Sequence, residues 1–214
     1  MDFSLIAPYL PMVWQGLAVT LEVTGASLAL AFAAGFLIAV LKVLPCRPLR
    51  AALDFYTSVF RGVPLIVLLF IAYFATPQLT GFKITMFQAS VLTLGLNGSA
   101  TVSETLRGGI QGVDAGQYDA ARALSMGYTG MMVWIIIPQA LRSVAPALVN
   151  EVVTVLKSSS LVATIGLMDL MRAAQSIQAL TYRAFEPFIL VAVVYYAIVM
   201  ALTALGRRLE RALR

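Results

Sequence analysis

The sequence predicts an all-α integral membrane protein that spans the bilayer five times. Of its 214 residues, 60% are hydrophobic and 12% are charged, whereas a soluble domain carries roughly a quarter charged residues. Residues 62–82, 84–103 and 187–206 contain no charged side chain. Each stretch is long enough to cross a hydrocarbon core of about 30 Å as a helix, and a soluble protein of this size does not need three such stretches.

The first predicted span covers about residues 14–41. Pro45 and Pro48 follow it and end the helix. Before residue 12 the only charged side chain is that of Asp2, so the segment lacks the positively charged start of a signal peptide. We therefore expect a retained helix whose N-terminus lies outside, on the side of the membrane opposite the cytoplasm.

The other four predicted spans cover about residues 57–77, 85–109, 144–168 and 186–207. Arg61, followed by Pro64, is interpreted as a positive anchor at the cytoplasmic entrance of the second span. A more polar stretch, residues 110–130, separates the third span from the fourth. Because no low-complexity linker interrupts the chain, residues 1–214 are predicted to form one domain.

The distribution of basic residues determines the predicted orientation. With the N-terminus outside, eleven of the fifteen Lys and Arg residues lie on the cytoplasmic side: Lys42, Arg47, Arg50, Arg61, Arg107, Arg122, Arg142, Arg207, Arg208, Arg211 and Arg214. Lys83, Arg172 and Arg183 then lie outside, and Lys157 is left within the membrane. The net charge of +5 is therefore interpreted as a mark of topology, and no nucleic-acid partner is expected.

The composition also restricts the chemistry of the chain. It has no histidine and a single cysteine, Cys46, so an intrachain disulfide, an imidazole proton relay and most transition-metal sites are excluded. No Gly-x-x-x-x-Gly-Lys-Ser/Thr motif is present. We expect no metal and no cofactor in this chain, and any ATP that drives it must bind to another chain.

Residues 114–138 predict a pair of short helices at the cytoplasmic surface. Asp114 and Gln117 are spaced as a capping box for a first helix, and Gly127 is a candidate left-handed stop. A second short helix is predicted over about residues 129–138. The small side chains of the first helix allow another protein surface to approach closely. The same pattern also fits an amphipathic hairpin that only rests on the bilayer.

The same segment resembles the coupling signature of ABC-importer permeases, which reads Glu-Ala-Ala, three residues, Gly, nine residues, Ile-x-Leu-Pro. Here the corresponding residues are Asp119-Ala120-Ala121, Ser125 and Ile135-Ile136-Ile137-Pro138, so the spacing is kept while Asp119, Ser125 and Ile137 differ in type. Ser125 makes a left-handed turn less easy, and Gly127 is expected to replace it in that turn. The resemblance implies that Asp119, Ala120, Ala121, Ser125, Gly127 and Pro138 take part in coupling to an ATPase.

Four further fragments resemble the polar amino-acid subfamily of these permeases, namely residues 15–24, 60–65, 104–111 and 156–161. Their order and spacing extend the resemblance over nearly the whole chain. It implies a type I ABC-importer permease fold in the bacterial inner membrane. The expected partners are a cytoplasmic ATPase dimer that binds ATP and Mg, a second permease copy or paralogue, and an extracytoplasmic amino-acid-binding protein. ATP hydrolysis is expected in the ATPase subunit and not in this chain.

Ionisable and amide side chains within the predicted spans are candidates for substrate binding. Asn150, Thr154 and Lys157 share one face of the fourth span, since they are separated by four and then three residues. A zwitterionic amino acid needs a cation for its carboxylate, which Lys157 supplies. It also needs acceptors for its ammonium group, which Glu104, Glu151 or Asn97 supply.

Two structural interpretations of the same residues stay open. Lys157 is either a substrate ligand or a member of an ion pair with Glu104 or Glu151 that joins two helices. Glu104 is also placed to pair with Arg107 along its own helix.

At the level of function, the alternative is an ion-driven secondary transporter of small zwitterions. Such proteins usually contain inverted repeats, and the sequence has no convincing internal repeat.

Overall fold

The computed structural model describes residues 6–43 and 46–213, and within these ranges the secondary structure is entirely helical. Pro45 and Arg214, used above to end the first span and to assign the C-terminal side, lie outside the described residues. Three helical stretches are long and apolar enough to span a membrane: Ala7–Val43, Tyr128–Ile165 and Phe185–Arg208. A bent pair, Arg47–Gly62 with Leu65–Thr80, makes a fourth if it is counted as one span. The predicted total of five spans, with the N-terminus outside, stays a prediction.

The first helix, α1 (Leu10–Val43), packs along α5 (Met86–Gln111) at the centre of the fold. Small residues allow the close approach. A Cβ atom at Gly35 would lie 2.7 Å from Val102, and one at Gly95 would lie 2.6 Å from Leu30. α5 begins with the capping box of Thr85 and Gln88. It has the length of a span, but its Gln, Ser, Thr and Asn residues make it more polar than the spans listed above.

The second predicted span, residues 57–77, is broken in the structure. α2 (Arg47–Gly62) ends before Val63, and the chain turns by 105° into α3 (Leu65–Phe70). The helix then continues through a π-helical turn, Ile71–Ala75, into α4 (Thr76–Thr80). The break follows from Pro64, which has no N–H to donate and forces an extended backbone on Val63, where φ is −93° and ψ is 134°.

The fourth predicted span is longer than expected and includes the second short helix. α6 (Ala115–Ala123) is separate, but α7 (Tyr128–Met131), a π-helical turn (Met132–Ile136), α8 (Ile137–Ser158) and a 3-10 stretch (Ser159–Ile165) form one rod. The rod has 38 residues. Pro138 does not end a helix, because the π-helical turn before it changes the hydrogen-bond pattern where the proline lacks a donor.

Two helices complete the chain, and the first of them was not predicted. α9 (Leu170–Thr181) is short and amphipathic, and Asp169 caps it by accepting from the Arg172 amide at 2.8 Å. The Leu170 amide donates to Thr20 Oγ1 at 3.0 Å, which fixes α9 against α1. α10 (Phe185–Leu213) covers the last predicted span and packs against α8 and α9.

Candidate functional site

The polar side chains of α8 form an open face, as the sequence predicts. Asn150, Thr154 and Lys157 are all exposed, and the Thr154 hydroxyl donates to the Asn150 carbonyl at 2.9 Å. Lys157 forms no ion pair or hydrogen bond through its ammonium group with any described residue. It borders a cavity of about 280 Å³ whose other walls include Ser160 and Tyr195. An unpaired ammonium group is therefore presented on the face of a long apolar helix.

Neither predicted ion pair of Lys157 is present. Glu104 instead lies 2.6 Å from Lys42 through Oε1 and 2.6 Å from Arg107 through Oε2. The pairing of Glu104 with Arg107 along its own helix is thus the one observed. Because both carboxylate oxygens have a cation, Glu104 is not free to accept from a substrate ammonium group in this conformation.

Glu151 lies on a different side of α8 from Lys157 and is 9% exposed. It packs against α5, since a Cβ atom at Gly98 would be 3.5 Å from Glu151 Oε1. No salt bridge joins Glu151 to Lys157 among the described residues. The Lys157–Glu151 ion pair is therefore absent, because the two side chains leave α8 in different directions.

Lys42 is a residue whose role the sequence did not reveal. It was counted only as a mark of orientation, yet it is 1% exposed and contacts Asp54 at 2.8 Å, Thr57 at 3.0 Å and Glu104 at 2.6 Å. These contacts join α1, α2 and α5. The partners lie on different helices, so no spacing within one helix indicates them.

The position of Arg61 also differs from the prediction. The Asn97 side-chain amide donates to the Phe60 carbonyl at 2.5 Å, and the Tyr56 hydroxyl donates to the Leu96 carbonyl at 2.9 Å. The end of α2 is thereby attached to the middle of α5, roughly 16 Å from its start at Met86. Arg61 consequently lies beside the middle of α5 and not at the start of an unbroken second span, because the chain turns by 105° at Pro64. Its side chain is exposed, and no described residue pairs with it.

Residues 114–138, the predicted coupling segment, begin with a short helix as expected, but the helix is capped differently. Asp114 caps α6 by accepting from the Gly116 amide at 2.8 Å, so the capping box with Gln117 is wrong. The Gln117 side chain instead accepts from Gln139 at 3.2 Å, across to the Tyr128–Ile165 rod. The Tyr118 hydroxyl donates to the Ile110 carbonyl at 3.0 Å, and burial raises the pKa of Tyr118.

The left-handed residue after α6 is Ser125, with φ of 55°, and not Gly127, whose φ is −65°. The Ser125 amide donates to Arg122 O at 2.8 Å and the Met126 amide to Ala121 O at 3.1 Å. This is the hydrogen-bond pattern of a Schellman motif. These hydrogen bonds place the left-handed conformation at Ser125, although a residue with a Cβ atom disfavours it.

The neighbouring alanines of the coupling segment point in different directions. Ala120 is exposed, as are Asp119, Gly127 and Pro138. Ala121 is 0% exposed and packs with Met131, Met132 and Ile136. Ala121 therefore holds α6 against the rod and is not itself exposed to another protein, while its part in coupling stays a prediction. Asp119 pairs with Arg122 at 3.5 Å, and both side chains are largely exposed.

Known proteins resemble the chain along its whole length. A family model described as binding-protein-dependent transport system inner membrane component matches residues 8–214. The arginine transport system permease protein ArtQ of Bacillus subtilis (strain 168) is 44% identical over 214 residues, covering 100% of this chain and 98% of that protein. The putative glutamine transport system permease protein GlnP of Rickettsia bellii (strain RML369-C) is 40% identical over 207 residues, covering 97% and 95%.

Solved structures agree with these relatives. One described as an amino acid ABC transporter with histidines superposes with a TM-score of 0.94 and 39% identity over 99% of both chains. An inward-facing form of the MetNI methionine ABC transporter superposes with a TM-score of 0.76 at 20% identity over 100% of both chains. The second similarity supports the fold alone.

Proposed function

The chain belongs to the family of binding-protein-dependent transport system inner membrane components, and on that premise we propose that it is the permease subunit of an ATP-driven importer of a polar amino acid. Relatives at 44% and 40% identity are named as arginine and glutamine transport permeases. Their similarity covers nearly the whole chain, which supports the ATP-driven importer over the ion-driven secondary transporter. The chain is a multi-pass component of the inner membrane, and a separate subunit hydrolyses the ATP.

The observation that carries the proposal is the unpaired ammonium group of Lys157. It is exposed on a 38-residue apolar rod, together with Asn150 and Thr154. Leaving a cation without a partner inside a membrane is costly, and such residues mark substrate pathways. A substrate carboxylate supplies the missing partner through a charge-assisted hydrogen bond. Lys157 is thus the proposed carboxylate ligand.

The remaining polar residues differ in how accessible their side chains are to a substrate bound at Lys157. The side chains of Asn150 and Thr154 lie on the same exposed face and offer oxygen acceptors for an ammonium group. Asn97 is half-buried and holds the Phe60 carbonyl. Glu104 is occupied by Lys42 and Arg107. Glu151 is buried against α5 and is not accessible to a substrate in this conformation.

The coupling segment supplies the proposed link to a cytoplasmic ATPase dimer, which binds ATP and Mg. Asp119, Ala120 and Leu124 form an exposed surface, and the Leu124 side chain is 74% exposed. Ala121 and its methionine neighbours attach this surface to the start of the rod that carries Lys157. A displacement of α6 by the ATPase would therefore move the same rod that presents the substrate ligand, which is the coupling that alternating access requires.

Two further partners belong to the proposal. A second permease, either a copy or a paralogue, completes the pathway on the open face of α8. The other is an extracytoplasmic amino-acid-binding protein that delivers the substrate, and the description of the family as binding-protein-dependent supports a partner of this kind.

Reconstitution tests the proposal directly. The chain, its ATPase and its binding protein are placed in proteoliposomes, and uptake of radiolabelled amino acids is measured with and without ATP. Uptake should require ATP, and Lys157→Met should lower it about ten-fold or more, because a charge-assisted contact is lost. Lys83→Met is the matched control, since Lys83 is exposed in the loop before α5. Uptake that follows an ion gradient without ATP would contradict the proposal.

A further inference from the structure

An apolar groove opens at the end of the bundle where α1 and α5 finish and α6 begins. It has a volume of about 470 Å³ and lies between α1, α5 and the Tyr128–Ile165 rod. Its walls include Phe36, Val40 and Val43 of α1, Ile110 of α5, and Met132 and Leu141 of the rod. Phe36 and Val43 are seven residues apart, so the groove runs for about 10 Å along α1.

The groove is open to the surroundings of the chain and is not sealed inside it. The side chains of Phe36 and Val40 in its wall are 55% and 46% exposed. Few voids in packed protein interiors exceed the size of a water molecule, and an apolar cavity does not hold water. Around a component of the inner membrane, the apolar groups available to fill such a groove are lipid tails, which are as apolar as leucine. The groove therefore fits a hydrocarbon chain.

Aromatic side chains place the mouth of the groove at the membrane interface. Tyr128 lines the groove and is largely exposed. Trp134 lies two residues after Met132 of the groove and is also largely exposed. Trp and Tyr are enriched at the depth where lipid tails meet headgroups. A lipid whose tail enters the groove would therefore have its headgroup at this end of the rod.

The described side chains at this end include cations without partners. Arg142 directly follows Leu141 of the groove, and Arg47 is four residues after Val43, at most about 14 Å away along the chain. Both arginines are exposed, and neither guanidinium group has an ion pair or hydrogen bond with a described residue.

The described carboxylates at the same end are already occupied. Asp54 and Glu104 pair with Lys42, Asp114 accepts from the Gly116 amide, and Asp119 pairs with Arg122. None of them is left to pair with Arg142 or Arg47. The rim of the groove therefore complements an anionic group.

We propose that this groove binds one acyl chain of an anionic phospholipid, whose headgroup is held by Arg142 and attracted by Arg47. The apolar walls accommodate the chain, and a charge-assisted hydrogen bond from the guanidinium group binds the phosphate. Basic pockets between membrane helices bind anionic headgroups in this way. The site does not depend on which amino acid the permease carries.

The groove lies on a different side of α8 from the open face that carries Lys157. Leu141 is fourteen residues before Val155, nearly four helical turns, so the two share a side. That side meets α5, since a Cβ atom at Gly98 would be 3.6 Å from the Val155 side chain. Lys157 is two residues further along and points in another direction. A second permease on the open face therefore leaves the groove accessible to lipid.

Photolabelling of the unmodified chain tests the site. The full-length permease is placed in phosphatidylcholine nanodiscs that contain a small fraction of phosphatidylglycerol or phosphatidylcholine with a diazirine in the acyl chain, and the adducts are located by mass spectrometry. Phosphatidylglycerol should label Phe36, Val40 or Leu141 about five-fold more than phosphatidylcholine does, as one arginine near an anionic lipid surface contributes about 1 kcal/mol. Leu37, exposed on α1 outside the groove, is the internal control and should be labelled equally by both lipids. Equal labelling of the groove residues by both lipids would overturn the inference.

Two sets of variants separate the acyl chain from the headgroup. Val40→Trp fills the groove and should abolish the preferential labelling of Leu141, whereas Leu37→Trp should leave it unchanged. Arg142→Gln should reduce labelling by phosphatidylglycerol without changing labelling by phosphatidylcholine, and Arg142→Lys should keep most of the difference. Lys83→Gln removes an exposed cation in the loop before α5 and should have no effect.

A second copy of the chain is the competing occupant of the groove. In a Cys46→Ser background, Val40→Cys should stay monomeric under oxidation if lipid fills the groove, and a disulfide-linked dimer would overturn the inference. Unchanged labelling of Leu141 in Val40→Trp, or an unchanged preference for phosphatidylglycerol in Arg142→Gln, would also overturn it. These measurements do not involve transport, so their outcome leaves the proposed function intact.

Discussion

Lys42 of α1 and Glu104 of α5 form an ion pair of 2.6 Å in which the lysine side chain is 1% exposed and the glutamate side chain 15% exposed. The pair is also in contact with Asp54 of α2 and Arg107 of α5. The broken second span is therefore fastened at two levels: by this network and by the hydrogen bond from Asn97 to Phe60. Such side-chain attachments hold in place a helix that ends beside the middle of its neighbour.

Removal of the buried lysine should destabilise the fold. Lys42→Met leaves Asp54 and one oxygen of Glu104 without a cation, so the free energy of unfolding should fall by about 1–3 kcal/mol. The measurement is the Tm of the purified permease by scanning fluorimetry. Arg50→Met, which changes an exposed arginine of α2, is the control and should have little effect.

A double-mutant cycle separates the ion pair from general damage. The double variant Lys42→Met, Glu104→Gln should lose less free energy of unfolding than the sum of the two single substitutions. In each single variant the remaining member of the Lys42–Glu104 pair loses its partner, whereas in the double variant both charges are removed. Strictly additive effects would show that the pair contributes no coupling energy.

The sequence predicted the helices that depend on local hydrophobicity and missed the features that depend on contacts between helices. Long, mainly apolar stretches identify α1, the α8 part of the rod Tyr128–Ile165, and α10, because the bilayer requires apolar length whatever the neighbours are. α9 was missed because its amphipathic pattern is short and lacks a span-length apolar run. The break at Pro64 lies inside the span predicted over residues 57–77, and it was missed because a proline after a break and one in the first turn of an unbroken helix have the same local signature.

In the candidate site, too, the features that follow from spacing within one helix were predicted and those that depend on contacts between helices were missed. The common face of Asn150, Thr154 and Lys157 follows from helical spacing and is present. The partner of Glu104 on another helix was not predictable, because a single sequence contains no information on which face of α5 meets α1. The left-handed Ser125 was missed for a different reason: the Schellman hydrogen bonds from Ser125 and Met126 override the preference of glycine for that position.

The orientation is tested by cysteine labelling in intact cells. Cys46 is the only cysteine, so its replacement by serine gives a background for single cysteines. Labels at Gly116 and Arg211 should react only after the cytoplasm is opened, whereas Gln78 and Thr181 should react from outside, because the basic residues favour the cytoplasmic side. Reaction of position 116 from the periplasm would contradict the five-span orientation.

Glycine should improve the turn that follows α6. Ser125 has φ of 55°, a conformation that costs side chains with a Cβ atom free energy. Ser125→Gly removes this cost. The gain is partly offset by the greater conformational freedom of glycine in the unfolded chain, so the net stabilisation should be about 1 kcal/mol at most. Gly127→Ala is the matched control, because Gly127 has φ of −65° and open space at its Cβ position. A lower Tm for Ser125→Gly would contradict this account of the turn.

The two neighbouring alanines of α6 separate docking from folding. Ala120 is exposed, so Ala120→Trp should leave the permease folded while it obstructs the surface proposed to bind the ATPase. Ala121 is fully buried against Met131 and Ile136, so Ala121→Trp should instead displace α6 and destabilise the chain by about 1–3 kcal/mol through overpacking.

Three measurements on the same preparations distinguish these effects: the Tm of the isolated permease, recovery of the ATPase by affinity purification, and ATP-dependent uptake. Ala120→Trp should keep the Tm and lose ATPase recovery or uptake, whereas Ala121→Trp should lower the Tm first. Ala120→Ser, which keeps the side chain small, should behave as the unmodified protein in all three. Full ATPase recovery and uptake by Ala120→Trp would exclude this face of α6 from the docking surface. The rod that carries Lys157 would then have to be moved through a different contact.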